Sequence, residues 1–146
     1  MKKLFIACDS AGYELKTKAI THLTDLGYDI TDLGCNGESC DYPDLAHALC
    51  SRILAEEAEN SKGTHTGVLF CGTGIGMSMA ANRHAGIRAA VCSDSFSAEF
   101  TRRHNDANVL CLGGRVVGEG LALQLIDIFL QTPFDGDRHI ARVAKI

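Results

Sequence analysis

Apolar residues in this chain fall into short, nearly unbroken runs, and each run is followed by a stretch in which apolar positions recur every three or four residues. The unbroken runs are Lys3 to Cys8 (KLFIAC), Thr66 to Cys71 (TGVLFC), Ile87 to Cys92 (IRAAVC) and Asn108 to Leu112 (NVLCL), while Tyr28 to Leu33 (YDITDL) alternates. Continuous runs of this length predict strands buried on both faces, and the alternating one predicts a strand toward a sheet edge. The stretches between them predict helices. Leu15, Ala19, Leu23 and Leu26 form one stripe, with Lys16, Lys18 and Asp25 off it and Gly27 as the stop. Pro43 opens a second helix, where Leu45, Leu49 and Ile53 stand four apart and the tail Glu56, Glu57, Glu59 reads as a solvated face. Shorter helices are predicted at Met77 to Asn82 and at Ser95 to His104, the latter with Phe96 and Phe100 on one face. A strongly amphipathic helix spans Gly118 to Leu130 until Pro133, and Gly136 to Ile146 has room for a terminal one. Gly34 to Asp41 reads as a loop and Ser61 to Thr66 as a polar connection.

Strand–helix alternation of this kind predicts an α/β fold: one α/β/α three-layer domain around a five-stranded parallel sheet. The 146 residues suffice for a single domain with a real core. In such sheets ligands bind beyond the carboxyl ends of the strands. Attention therefore falls on Asp9-Ser10, Cys71 to Gly74, Ser93-Asp94 and Gly113 to Arg115.

Charge narrows the classes. Fourteen Lys and Arg against eighteen Asp and Glu leave −4, which argues against a surface built for nucleic acid but permits a local basic pocket. No apolar run approaches the roughly 20 residues of a membrane span. The run behind Met1-Lys2-Lys3 ends at Asp9, too soon for a secretory signal, so the chain reads as cytoplasmic. Seven cysteines, at 8, 35, 40, 50, 71, 92 and 111, include no C-x-x-C pair, and no two histidines stand at metal-ligand spacing. Neither a zinc site nor a disulfide framework is expected; the default is free thiols packing as small apolar residues.

The most informative segment is Cys71-Gly72-Thr73-Gly74-Ile75-Gly76-Met77-Ser78. Glycines there permit backbone amides to face outward at the start of a helix, where an anion or oxyanion is well received; a tight strand–helix turn explains the glycines equally well. The segment is neither a dinucleotide fingerprint nor a P-loop, since Met79 stands where the third glycine would fall and no Lys-Ser/Thr pair follows. Cys71 ends the strand and faces this loop, where outward amides favour a thiolate fit to act as nucleophile or base. Its position alone also describes a buried strand cysteine, like Cys92 and Cys111. His104-Asn105 closes its helix, a place that suits either proton transfer or a plain helix cap. Arg138 and Arg142 stand four apart on one helical face, and Arg115 follows a strand and two glycines; together they suit a phosphate or ordinary ion pairs. Arg102 and Arg103 read as solvated, Asp9 as a hydroxyl ligand or a helix cap, and His139 stays open.

These segments carry a resemblance. CDSAGYELK at 8–16, DYPD at 41–44, CGTGIGMSMAANR at 71–83, GIRAAVC at 86–92, RRHNDANVL at 102–110, GGRVVG at 113–118 and DGDRHIARV at 135–143 resemble the type B ribose-5-phosphate isomerases, a family that also holds allose-6-phosphate and galactose-6-phosphate isomerases. The resemblance spans nearly the whole chain. It implies a Rossmann-like fold and an aldose–ketose isomerase that uses neither metal nor cofactor and works through an enediolate. It implies Cys71 as the base between C1 and C2, with Thr73 and the amides of Gly72, Gly74, Ile75 and Gly76 on the oxyanion. His104 would open the sugar ring, Asp9 and Asn105 would position hydroxyls, and Tyr42 would line the pocket. Arg115, Arg138 and Arg142 match phosphate ligands. It further implies a homodimer or dimer of dimers sharing its sites, with the tail from about residue 133 packing on a neighbouring subunit, and no nucleic-acid or membrane partner.

One position departs from the pattern: Ser10 stands where the family usually has a substrate-binding histidine. This bears on which sugar phosphate is preferred more than on the chemistry, because Cys71 is present. Two other classes remain: a non-catalytic sugar-phosphate-binding protein, supported only by Ser10, and a redox thiol protein. The latter requires two thiols brought close together, and the sequence displays no such pair.

Overall fold

The computed structural model describes residues 3–60 and 65–146, so most of the expected polar connection lies outside the described residues. β1 (Lys3–Cys8), β3 (Thr66–Cys71) and β5 (Val109–Gly113) are almost wholly buried, as their unbroken apolar runs require. β2 (Asp29–Asp32) and the three-residue β4 (Ala89–Val91) are partly exposed and form the edges. The five strands are all parallel, in the order β2-β1-β3-β5-β4. The parallel α/β sheet and the edge position of the alternating strand are as read from the sequence, whereas Ile87 to Cys92, read as a doubly buried run, gives only a short, partly exposed edge strand because β4 pairs with β5 alone.

Helices α1 (Tyr13–Asp25), α4 (Ser95–Asn105) and α5 (Glu119–Gln131) cover one face, while α2 (Tyr42–Glu59) and α3 (Ile75–Ala81) cover the other. Because side chains alternate along a strand, Val68 and Phe70 pack toward α1 and α5, whereas Leu69 and Cys71 pack toward α2 and α3. A last helix, α6 (Arg138–Val143), packs against α4. No helix among the described residues is long and apolar enough to cross a membrane.

Three charged side chains depart from the sequence reading. Lys16 is 1% exposed; its stem fills the core beside α1 and its ammonium bonds Asp32 Oδ1 at 2.7 Å and the Cys35 carbonyl at 2.8 Å. Glu56 is not merely solvated: it pairs with Lys3 at 3.0 Å and joins α2 to β1. Arg102 is likewise not solvated. It bonds Asp106 at 3.0 Å, the carbonyls of Ala107 and Thr132, and lies over the Phe129 ring, tying down the α4–β5 turn.

Candidate active site

The carboxyl ends of β1, β3 and β5 converge, and the backbone itself joins them. Asp9 N–H donates to the Phe70 carbonyl at 3.1 Å, Gly114 N–H to Cys71 at 2.8 Å, and Arg115 N–H to Gly72 at 3.0 Å. The sequence reading placed Asp9, Ser10, Tyr42, the 71–76 segment and Arg115 on this side, and the fold brings them together. Ser10 is exposed on the single 3-10 turn that follows Asp9. The Arg115 side chain lies against Gly72, its Nη1 3.6 Å from where a Cβ on that residue would stand. A Cβ on Gly76 would lie 2.6 Å from the Tyr42 ring, so the bare glycine is what lets the tyrosine close over the loop.

Within the loop, Gly74 adopts φ of +79°, the left-handed conformation for which glycine has no steric penalty. That turn aims the Gly74 N–H at Cys71 Sγ across 3.0 Å. The Thr73 hydroxyl accepts the Ile75 N–H at 3.2 Å. Two of the loop's amides are therefore committed to side chains of the loop, which directs any oxyanion toward the neighbouring amides and the Thr73 hydroxyl. Cys71 is 4% exposed. Burial pushes Cys8, on β1, and Cys50, on α2, up to about 12, Cys92 up to about 11 and Cys111 well above the usual range. Asp9 does cap the first turn, its Oδ1 accepting the Gly12 N–H at 3.1 Å, and its side chain remains partly exposed.

The remaining candidates lie elsewhere. Helix α4 starts at the carboxyl edge, where Asp94 caps it, and runs 11 residues to the amino edge, about 16 Å away. There the Asn105 carbonyl accepts from Arg88, the residue before β4. His104, Asn105, Arg138 and Arg142 therefore gather at the end of the sheet opposite Cys71. The His104 ring stacks on His139, centroids 4.1 Å apart and 13° from parallel, with Phe100 edge-on at 4.9 Å. The Asp135 carboxylate pairs with Arg103 at 3.2 Å and its N–H donates to the Arg103 carbonyl at 3.0 Å, fixing the chain that leads into α6. Burial, then the positive neighbours His104, Arg138 and Arg142, hold the His139 imidazole below its ordinary range.

His139 is the member that sequence reasoning left open, and the signal was its place between two candidate arginines. The absence of metal-ligand spacing was also misleading about proximity. Among the described residues His104, Asp135 and His139 bring ligand atoms within 4.8 Å of one another. The parallel rings and the Arg103 partner of Asp135 make this an aromatic and ion-pair assembly as it stands.

The family described as Ribose/Galactose Isomerase matches residues 4–146. Ribose-5-phosphate isomerase B of Escherichia coli (strain K12) is 42% identical over 147 residues, covering 100% of this chain and 95% of that protein. The crystal structure of a ribose 5-phosphate isomerase from Thermotoga maritima superposes with a TM-score of 0.91 at 46% identity, covering 99% of this chain and 96% of the other. Ribose-5-phosphate isomerase B from Mycoplasma genitalium, solved with bound ribulose-5-phosphate, gives 0.90 at 37% identity over 98% and 92%.

Proposed function

The chain belongs to the ribose/galactose isomerase family and is a sugar-phosphate isomerase; from that premise we propose that it interconverts ribose 5-phosphate and ribulose 5-phosphate through an enediolate, with Cys71 as the base. The observation that carries this reading is the Gly74 amide aimed at the Cys71 sulfur, on a loop that Tyr42 and Arg115 enclose. A thiolate so held takes the proton from C2 of the open aldose and returns it to C1. Charge that develops on the carbonyl oxygen is met by the Thr73 hydroxyl and the remaining amides of Gly72 to Gly76, donors that are in place before the reaction begins. Asp9 and Ser10 hold hydroxyls, and Arg115 holds the phosphate.

Ring opening calls for a second proton-transfer group within reach of the same sugar, and His104 stands at the wrong end of its own sheet to supply it. The reading is therefore a homodimer, two of which can form a dimer of dimers. A second copy lays its α4 and α6 against this carboxyl edge, bringing His104 as ring-opening acid and base, Asn105 for a hydroxyl, and Arg138 and Arg142 for the phosphate. Exposed Ile75, Met79, Val91 and Phe96 around the loop supply apolar area for such a contact. The enzyme works in the cytoplasm and its reaction calls on no nucleic-acid or membrane partner.

Turnover on ribose 5-phosphate, allose 6-phosphate and galactose 6-phosphate, with a chelator present, tests the reading. Ribose 5-phosphate is expected to be turned over best, undiminished by the chelator. A preference for either hexose phosphate would make Ser10 the mark of a longer substrate. Binding without turnover of any of the three would overturn the reading.

A further inference from the structure

Outside the proposed active site, two histidines that stand 37 residues apart in the chain meet at the surface. His47 lies on the outer side of α2, beside the wholly buried Ala46, and His84 lies in the turn that follows α3. His47 Nδ1 and His84 Nε2 are 2.7 Å apart, with the rings tilted by 53° and their centroids 4.9 Å apart. The backbone is fixed on both sides of this pair. Ala46, Leu49, Cys50 and Ile53 bury the inner side of α2. The turn is held by the His84 N–H on the Ala81 carbonyl and by the Ile87 N–H on the His84 carbonyl, each at 3.1 Å. The Asn82 side chain ties the same turn to β4: its Oδ1 accepts the Ala89 N–H at 2.8 Å and its Nδ2 donates to the Ala89 carbonyl at 2.9 Å. Cys50, three residues along α2 from His47, donates its Sγ–H to the Ala81 carbonyl at 3.9 Å, so helix and turn also meet below the pair.

We propose that His47 and His84 form a two-imidazole site for a divalent transition cation of the nickel, copper or zinc class, which staples α2 to the turn after α3. An imidazole nitrogen binds such an ion at about 2.0–2.1 Å, which sets two neighbouring ligand nitrogens about 3 Å apart. The pair starts at 2.7 Å, so a small opening and turn of the rings admits an ion in place of the proton between them. The ring that donated that proton takes one up from solvent on its outer nitrogen, and both imidazoles stay neutral. Hard cations such as magnesium and calcium select oxygen ligands, which the pair does not offer. Among the described residues no carboxylate or thiol stands close enough to join the two as a third ligand, so water completes the coordination. The one group that does collect three donors there, His104, Asp135 and His139, is a poorer cation site. Its rings lie 13° from parallel, Asp135 is committed to Arg103, and Arg138 and Arg142 share the helix of His139. The inference does not rest on the isomerase reading.

The test titrates Ni²⁺ into the metal-free protein by calorimetry and repeats the titration with His47→Gln, His84→Gln and His139→Gln. One ion per subunit is expected for the parent and for His139→Gln, with affinity at least about tenfold lower in each of the other two. Saturating Ni²⁺ should raise the melting temperature of the parent and of His139→Gln and leave His47→Gln and His84→Gln where they melt without metal. A parent that binds no Ni²⁺ would overturn the site, as would an unchanged affinity in either His47→Gln or His84→Gln. Loss of binding in His139→Gln would place the ion with His104 and Asp135 and overturn it too. A measurement on the parent alone covers a variant that fails to fold. Diethyl pyrocarbonate modifies accessible imidazoles, and Ni²⁺ is expected to shield His47 and His84 from it, as read by mass mapping of the digest. Equal labelling of the two with and without Ni²⁺ would overturn the site.

Discussion

The backbone amide of Gly74 donates to the sulfur of Cys71 across 3.0 Å, in a loop whose geometry only a left-handed glycine provides. A buried sulfur that accepts an N–H has a donor ready for negative charge. Cys71→Ala should therefore remove turnover by about 10²–10⁴-fold, the usual worth of a positioned base. Stability should change by only about 1 kcal/mol. Steady-state kinetics beside a thermal melt check this; near-normal kcat would take Cys71 out of the reaction.

Asp9 separates two roles. Its Oδ1 caps the first turn by accepting the Gly12 N–H, a role an amide oxygen performs as well. Asp9→Asn should keep the melting temperature and lose activity, whereas Asp9→Ala should lose activity and about 1 kcal/mol of stability. Full activity in Asp9→Asn would leave the residue a cap and nothing more.

Much of this was legible in the sequence. Three unbroken apolar runs became the buried β1, β3 and β5, because a strand covered on both faces admits few polar positions, and the alternating run became the edge strand β2. The loop after Cys71 stood out for its glycines. The part that stayed hidden depends on direction and distance. Nothing local in Ser95 to Asn105 tells that its last turn lies at the sheet's far end from Cys71; that follows from the parallel topology. Lys16 and Arg102 were misjudged because long side chains bury their stems while their charged ends find carbonyls and carboxylates supplied by distant segments.

The two kinds of arginine should respond differently. Arg102, 12% exposed at its side chain, holds Asp106 and two carbonyls, and Arg102→Ala should destabilise the protein by about 3 kcal/mol. Arg138→Ala should leave the melt nearly unchanged and raise KM for the phosphorylated sugar at least tenfold. Denaturant unfolding and KM on both variants decide the matter, and an unchanged KM in Arg138→Ala would remove that residue from the site.

His139 predicts an acid-side slope. Burial and the charges of His104, Arg138 and Arg142 hold its imidazole below the ordinary 6.5, with Asp135 opposing. The unfolded chain then binds this proton more readily than the folded one, so the contribution is complete above about pH 6.5 and is lost as the pH falls. Melting temperatures between about pH 7 and pH 5 should fall less in His139→Gln than in the parent. Parallel curves would show that His139 is not the group responsible.

The central claim is that one active site needs Cys71 of one subunit and His104 of another, because one chain holds them at opposite ends of its sheet. The direct measurement mixes two inactive proteins, Cys71→Ala and His104→Ala, by refolding them together in equal amounts. Random pairing makes half of the dimers mixed, and each mixed dimer has one intact site of two, so activity should return to roughly one quarter of the parent's. A folded, dimeric mixture as inactive as either variant alone would contradict the account.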